Sequence, residues 1–246
     1  MDRSLFVVMS GAKETLHAQA AVSNNLANVN TAGFKADLEQ FRSMPVFGPG
    51  HPSRVYALDE RPATDFDPGT TQTTGRDLDI AIKGEGWITV QAPDGSETYT
   101  RRGDLRVSPN GLLETGNGLP VMGENGPIAI PPAQKIDIGQ DGTISIVPLG
   151  ENPDTLVIVD RIKLVNPDPA QLEKGLDGLI RLKNGETADA DASVTLIPGS
   201  LEGSNVNSVS ALVEMIELAR RFELQIKMMK TAEEDADATA QLLRMG

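Results

Sequence analysis

The chain contains no cysteine, so no disulfide and no thiolate metal site is available to it, and its fold stands without covalent staples in any compartment. Histidine is nearly as scarce. His17 falls in the first predicted helix and His51 in a proline-rich stretch, which leaves no histidine for a triad or zinc site in the middle of the chain. Long apolar runs are missing too. The N-terminus offers only Leu5 to Met9 before polar residues resume, shorter than the core of a secretory leader, and no stretch approaches the ~20 apolar residues of a membrane span. The expectation is a soluble chain without direct membrane insertion, which leaves the cytoplasm, if at all, by a route other than general secretion. Basic residues are outnumbered, 22 against 35 acidic, for a net charge of −13. That balance opposes generic binding to nucleic acid or to anionic membrane. No G-x4-G-K-[ST] loop, G-x-G-x-x-G fingerprint or G-x-S-x-G elbow occurs.

What is present is organised from the C-terminal end. From Asn207 to Met245 no proline or glycine intervenes, and steps of four and three pick out Met215, Ala219, Phe222, Ile226, Met229, Glu233, Ala236, Ala240 and Leu243. Only Glu233 breaks this seam of 3.5-residue period, which predicts a helix packed along another helix, with Asn207 or Ser208 as its cap. About 36 residues at ~1.5 Å each give ~54 Å, too long for one side of a compact core. The matching element is Asp2 to about Asn28, where Leu5, Met9, Ala12, Leu16, Gln19, Ser23 and Leu26 follow the same spacing and Asp2 complements the helix start. Asn24, Asn25, Asn28 and Asn30 then crowd a predicted helix end and turn closing at Gly33. One such residue suffices as a cap, so the others, with Leu26 among them, are expected at contacts between subunits.

Residues 35–77 lose all periodicity and carry Pro45, Pro49, Pro52, Pro62 and Pro68, which reads as an extended connector with room for a short hairpin. Period two follows at Leu78, Ile80 and Ile82 and again at Leu105 and Val107, punctuated by Asp94-Gly95, Asn110-Gly111, Asn117-Gly118 and Asp141-Gly142. This predicts an all-β module over 78–182 of roughly ten short strands, with Trp87 as core anchor and Leu156 to Val165 as its most apolar strand. Residues 183–203 return to loop-rich sequence. The predicted class is α+β: a discontinuous helical domain of 1–34 and 204–246, a connector domain of 35–77 and 183–203, and an outer β domain of 78–182.

Catalysis would have to rest on acids, of which Asp77, Asp79, Glu85, Asp94, Asp104 and Asp141 lie in the module. Asp94 and Asp141 are turn residues by the glycine that follows each, and Asp77 and Asp79 fit the polar face of an alternating strand. No catalytic constellation, cofactor site or metal site emerges. A carboxylate-based sugar-active module on a helical stem would need two acids ~5–9.5 Å apart. An adaptor coiled coil would form a closed dimer instead.

Three stretches taken in series carry a resemblance. They are SGAKETLHAQAAVSNNLANVNTAGFKADLEQFRSMPV, then GRDLDIAIKGEGWITVQAPDGSETYTRRGDLRVSPNGLL followed by GLPVMGENGPIAIPP, and LEGSNVNSVSALVEMIELARRFELQIKMMKTAEEDADATAQLL. They cover well over half of the chain, and by them it closely resembles the flagellar rod, hook and hook-associated family of axial proteins. The short connector and the RFELQIKMMKTAEEDA run are similar to the proximal-rod type rather than to the longer distal-rod type, with a distal-rod or hook-type axial protein of the same family as the alternative. Ala32, where the family has Thr, and Glu233 depart from the pattern. The resemblance implies a structural subunit whose terminal helices line a hollow, torque-transmitting tube in the basal body. It also implies export by the flagellar type III apparatus without a cleaved signal, and contacts with its own copies and neighbouring rod proteins rather than with nucleic acid or a small-molecule substrate. On that basis Leu5, Met9, Leu16, Asn24, Asn25, Leu26, Asn28, Asn30, Gly33, Phe34, Met215, Phe222, Ile226, Met229 and Leu243 are the expected assembly residues.

Overall fold

The computed structural model describes residues 4–39, 41–45, 55–59, 63–150 and 155–244. Asp2, offered as a helix cap, and His51 fall outside them, as does the side chain of Leu243. The chain divides into two compact units, residues 1–28, 37–65 and 206–246 in the first and residues 29–36 and 66–205 in the second.

The first unit is built on two helices, α1 (Ser4–Ala27) and α2 (Ser208–Arg244). Asn207 caps α2, its Oδ1 accepting from the backbone N–H groups of Val209 and Ser210 at 3.0 and 3.1 Å and so satisfying two of the orphan donors at a helix start. Ala18, Val22, Ala211 and Leu218 are buried between the helices, with Leu26, Val206 and Met215 packed against them. Strands β1 (Asp37–Leu38) and β4 (Ala63–Thr64) pair antiparallel, as do β2 (Phe41–Pro45) and β3 (Val55–Asp59), so the proline-rich stretch contributes a hairpin.

The second unit is all β. Its strands are β5 (Thr71–Thr73), β6 (Ile80–Lys83), β7 (Trp87–Gln91), β8 (Glu97–Thr100), β9 (Leu105–Val107), β10 (Leu113–Thr115), β11 (Ala133–Ile138), β12 (Thr143–Pro148), β13 (Val157–Arg161), β14 (Leu164–Val165), β15 (Leu172–Lys174), β16 (Ile180–Leu182), β17 (Thr195–Pro198) and β18 (Ser200–Glu202). The turn glycines predicted from their dipeptides all adopt positive φ: Gly95 at 85°, Gly111 at 81°, Gly118 at 85° and Gly142 at 84°. One five-stranded sheet runs β14-β7-β8-β16-β15, and a three-stranded sheet runs β11-β12-β13. The main core is aliphatic, from Ile80, Ile88, Val90, Leu105 and Leu113 to Ile144 and Ile162. Trp87 is buried as expected, but in a separate cluster with Tyr99, Val165, Leu172, Ile180 and Leu182.

Two expectations change here. The stretch 183–203 is not only loop. It supplies β17, which pairs with β6, and β18, which pairs with β5. Leu156 to Val165, predicted as the most apolar strand, is interrupted between β13 and β14, and its first half lies at the sheet edge with Leu156, Val157 and Ile158 exposed. High apolar content signals burial only when both faces of a strand are covered.

Candidate assembly interface

Each helix of the first unit carries two apolar stripes. On α2 the inward stripe is Ala211, Met215, Leu218, Phe222, Gln225 and Met229, each buried or half-buried and again spaced four and three apart. Half a turn away lie Val209, Leu212, Val213, Ile216 and Leu224, all exposed. On α1 the inward stripe is small and partly polar: Gly11, Thr15, Ala18 and Val22. Leu5, Phe6, Met9 and Leu16 project from the opposite side.

The predicted seam therefore needs correcting. Met215, Phe222 and Met229 do face inward, joined by Leu218 and Gln225; Ala219 is half-buried beside them, while Ile226 is exposed. On α1 the large residues Leu5, Met9 and Leu16 point away from α2. The cause is steric: a Cβ added at Gly11 would stand 3.2 Å from Gln225 Nε2, so small residues are what let α2 approach on that side.

The asparagines divide in a similar way. Asn25 is buried and clasps its own chain, its Nδ2 donating to the Asp37 carbonyl and its Oδ1 accepting from the Asp37 N–H, both at 2.8 Å. Asn28 donates from Nδ2 to the Asn24 Oδ1 at 2.7 Å, closing the last turn of α1. The expectation that all but one serve other subunits is corrected for Asn25, whose amide is satisfied within the unit. Leu26 packs on the helix-pair core. Asn24 and Asn30 are exposed.

Gly33 and Phe34 belong to the second unit, where they begin a buried ionic cluster that local periodicity does not register. Glu202 accepts from Lys35 Nζ at 2.7 Å and from Arg101 Nη1 at 2.8 Å, with side-chain exposures of 2%, 1% and 3% in that order. Gly69 N–H donates to the same Oε1 at 3.0 Å, and Gly33 N–H donates to the Glu202 carbonyl at 2.8 Å. Lys35 also reaches the Asp67 carbonyl and Arg101 the Gly84 carbonyl, each at 2.8 Å. Both cations lie over the Trp87 ring, at 5.9 and 5.1 Å, and Phe66 packs edge-on against it at 5.6 Å. Lys174 lies 4.1 Å over the Phe34 ring. Such a cluster is tolerable only because every oxygen of Glu202 has donors. Lys35, Arg101 and Glu202 each lie inside a stretch that carried the family resemblance, and that was the one signal for them.

Gly33 fits this cluster for two reasons. Its φ is +67°, and a Cβ would lie 2.3 Å from the Arg101 carbonyl carbon. Gly33→Ala is expected to cost ~1–2 kcal/mol for the left-handed backbone alone, and more for the displacement of Arg101. Thermal melting followed at Trp87 checks this, and an unchanged midpoint would contradict it.

Asp77 and Glu85 are exposed, and the other four acids named in the module are engaged structurally. Asp79, expected on a solvated strand face, is instead buried, with Oδ2 accepting from the Thr74 hydroxyl at 2.7 Å. Asp104 forms a two-pronged pair with Arg102 at 2.6 and 2.8 Å. Asp94 and Asp141 cap their turns, and the Ser96 and Thr143 hydroxyls, followed by the backbone N–H groups of the same residues, hold both carboxyls below the usual range. Among the described residues no group of three or more metal-ligating side chains is clustered, and no helix is long and apolar enough to cross a membrane.

The two helices with an exposed apolar side lie at either end of the sequence, with the all-β unit between them. Three family models match the chain in series: Flagella basal body rod protein over residues 5–35, Flagellar hook protein FlgE/F/G D1 domain over 81–146, and Flagellar basal body rod FlgEFG protein C-terminal over 197–242. The chain belongs to the flagellar basal-body rod protein family, and it is a structural subunit of that kind. It is 42% identical to the flagellar basal-body rod protein FlgF of Escherichia coli (strain K12) and 41% identical to that of Salmonella typhimurium (strain LT2), over the whole of each chain. Identity to the rod protein FlgG of Bacillus subtilis (strain 168) is 33%, over 95% of this chain and 96% of the relative.

Proposed function

We propose that this chain is an axial subunit of the proximal rod and that it polymerises through the outward stripes of α1 and α2 into a hollow, torque-transmitting tube. The observation that carries this reading is the pair of exposed stripes, Leu5, Phe6, Met9 and Leu16 on one helix and Val209, Leu212, Val213, Ile216 and Leu224 on the other. Contiguous exposed apolar surface on both helices marks a site of protein contact. The proximal type is favoured by the higher identity to FlgF than to FlgG. Its partners are its own copies and neighbouring rod proteins, with the exposed Ile226, Asn24 and Asn30 also at such contacts. The layered division, helical from 1–34 and 204–246, connecting from 35–77 and 183–203, and outer from 78–182, describes its radial order in the tube. The chain reaches the periplasmic part of the basal body through the flagellar type III apparatus. It performs no catalysis and needs no cofactor; its work is mechanical.

Leu16→Asp and Ile216→Asp test this. Both side chains are already exposed, so the melting temperature of the isolated chain is expected to stay within the range of ordinary surface substitutions, about ±0.5 kcal/mol. In cells that rely on the variant, rods should fail to assemble and motility should be lost, because the charge would be buried unpaired in the polymer. Normal swimming by either variant would overturn the reading.

A further inference from the structure

The second unit contains four Asn-Gly pairs: Asn110-Gly111, Asn117-Gly118, Asn125-Gly126 and Asn184-Gly185. Such a pair is a chemical weak point. The peptide nitrogen that follows an asparagine can attack its side-chain amide carbon, and a glycine, having no side chain, leaves that approach open. All four asparagines are exposed, so exposure does not tell them apart. The way each pair is held does.

At three of the pairs the attacking nitrogen is engaged. Gly111 N–H donates to the Ser108 carbonyl at 2.9 Å, Gly118 N–H to the Thr115 carbonyl at 2.8 Å and Gly185 N–H to the Leu182 carbonyl at 3.0 Å, each closing a turn. Two of the side chains are held as well. Asn117 Oδ1 accepts from the Thr115 hydroxyl. Asn184 donates from Nδ2 to Glu186 Oε2 at 2.7 Å, and its Oδ1 accepts from the Glu186 N–H at 3.1 Å. An amide fixed in this way cannot turn its carbon toward the next nitrogen without breaking those bonds.

The pair at 125–126 is held differently. Residues 124–126 form a bend between Met122 and Pro127, which pair across it. The bend is closed by Gly123 N–H donating to the Gly126 carbonyl at 2.7 Å. That bond leaves both the Gly126 N–H and the Asn125 side chain without a hydrogen-bond partner among the described residues. A Cβ built on Gly126 would meet nothing within 4 Å, so there is room for a ring to close.

We propose that Asn125 is the site at which the folded chain deamidates. Gly126 N bonds to Asn125 Cγ, the Cγ–Nδ2 bond breaks, and Nδ2 leaves as ammonia with the proton that Gly126 N gives up. The product is a cyclic succinimide. Water then opens the ring on one side of its nitrogen or the other. Addition at Cγ gives aspartate, and addition at the backbone carbonyl gives isoaspartate, in which the chain runs through Cβ and Cγ. Either product places a new carboxylate beside the exposed Glu124. Isoaspartate also lengthens the backbone inside the span that the Gly123–Gly126 hydrogen bond closes. Chemical ageing of the β unit therefore begins at this bend.

The test uses the purified full chain, incubated at mildly alkaline pH and sampled over time, with amide-to-acid conversion located residue by residue by peptide mass spectrometry. Conversion at Asn125 is expected to outpace each of the other three by about fivefold or more, the factor that opening one turn hydrogen bond imposes on them. In urea, where the turns are gone, the four rates should converge. Equal rates in the folded chain, or a faster site among the other three, would overturn the proposal. An equal lead for Asn125 in urea would overturn it too, since the lead would then belong to local sequence and not to the fold. Asn125→Gln supplies a second measurement, because its longer side chain closes such a ring poorly. The dominant conversion of the folded chain should disappear in this variant while its melting temperature stays unchanged. Persistence of that conversion would place it at another residue and refute the assignment.

Discussion

Glu202→Ala is expected to cost the β unit about 3–5 kcal/mol, because it removes the buried carboxylate that Lys35 and Arg101 share at 1% and 3% exposure. Losses of that size consume a large part of the stability of an ordinary domain. The chain has a single tryptophan, Trp87, and it lies beneath both cations, so its fluorescence reports on this cluster directly. Glu202→Gln should fall between, since the amide keeps an acceptor for one cation but loses the charge. The triple replacement Lys35→Met, Arg101→Met and Glu202→Leu should recover much of the loss, since no charge is then left buried. A Glu202→Ala melting midpoint within about 1 kcal/mol of the native chain would mean that the cluster is not what ties residues 33–36 and 200–205 into the second unit.

Leu218→Asp is the second large effect, and it belongs to the other unit. Leu218 is buried with Ala18, Val22 and Ala211, and a carboxylate there has no cation in reach among those neighbours. Separation of α1 from α2 is therefore expected, at a cost of several kcal/mol. Far-ultraviolet circular dichroism should show loss of helix at a temperature where the native chain is intact, while the Trp87 transition is unmoved. Leu218→Met, which conserves volume, should cost less than ~1.5 kcal/mol and separates the charge from the shape. Native-like helix content in Leu218→Asp would contradict the assignment of the inward stripe.

These two variants mark where the sequence was legible and where it was not. The helix ends and hairpin turns were, because Asn207 and the glycines at 95, 111, 118 and 142 act on their immediate neighbours. The choice of helix face was not. A helix apolar on two sides has two seams of one period, and a heptad drawn through its largest residues takes Ile226 and Leu16 for the intramolecular contact. The structure gives that contact to Leu218 and to the small residues of α1. Size misleads here, since close approach of two helices favours the residues that periodicity discounts. The ionic cluster was invisible for a different reason. Lys35 and Glu202 meet across 167 positions, and nothing local distinguishes a charge that will be buried from one that will be solvated. Asn25 lies between these cases: its neighbourhood marked it as special, but only the path of the chain past Asp37 reveals what it binds.

The most direct test of the central claim is an image of the intact basal body at side-chain detail. The account predicts this chain within the rod, with α1 and α2 in its wall and Leu16, Ile216 and Leu224 covered by neighbouring subunits. A rod from which the chain is absent, or in which those three side chains face solvent, would contradict it.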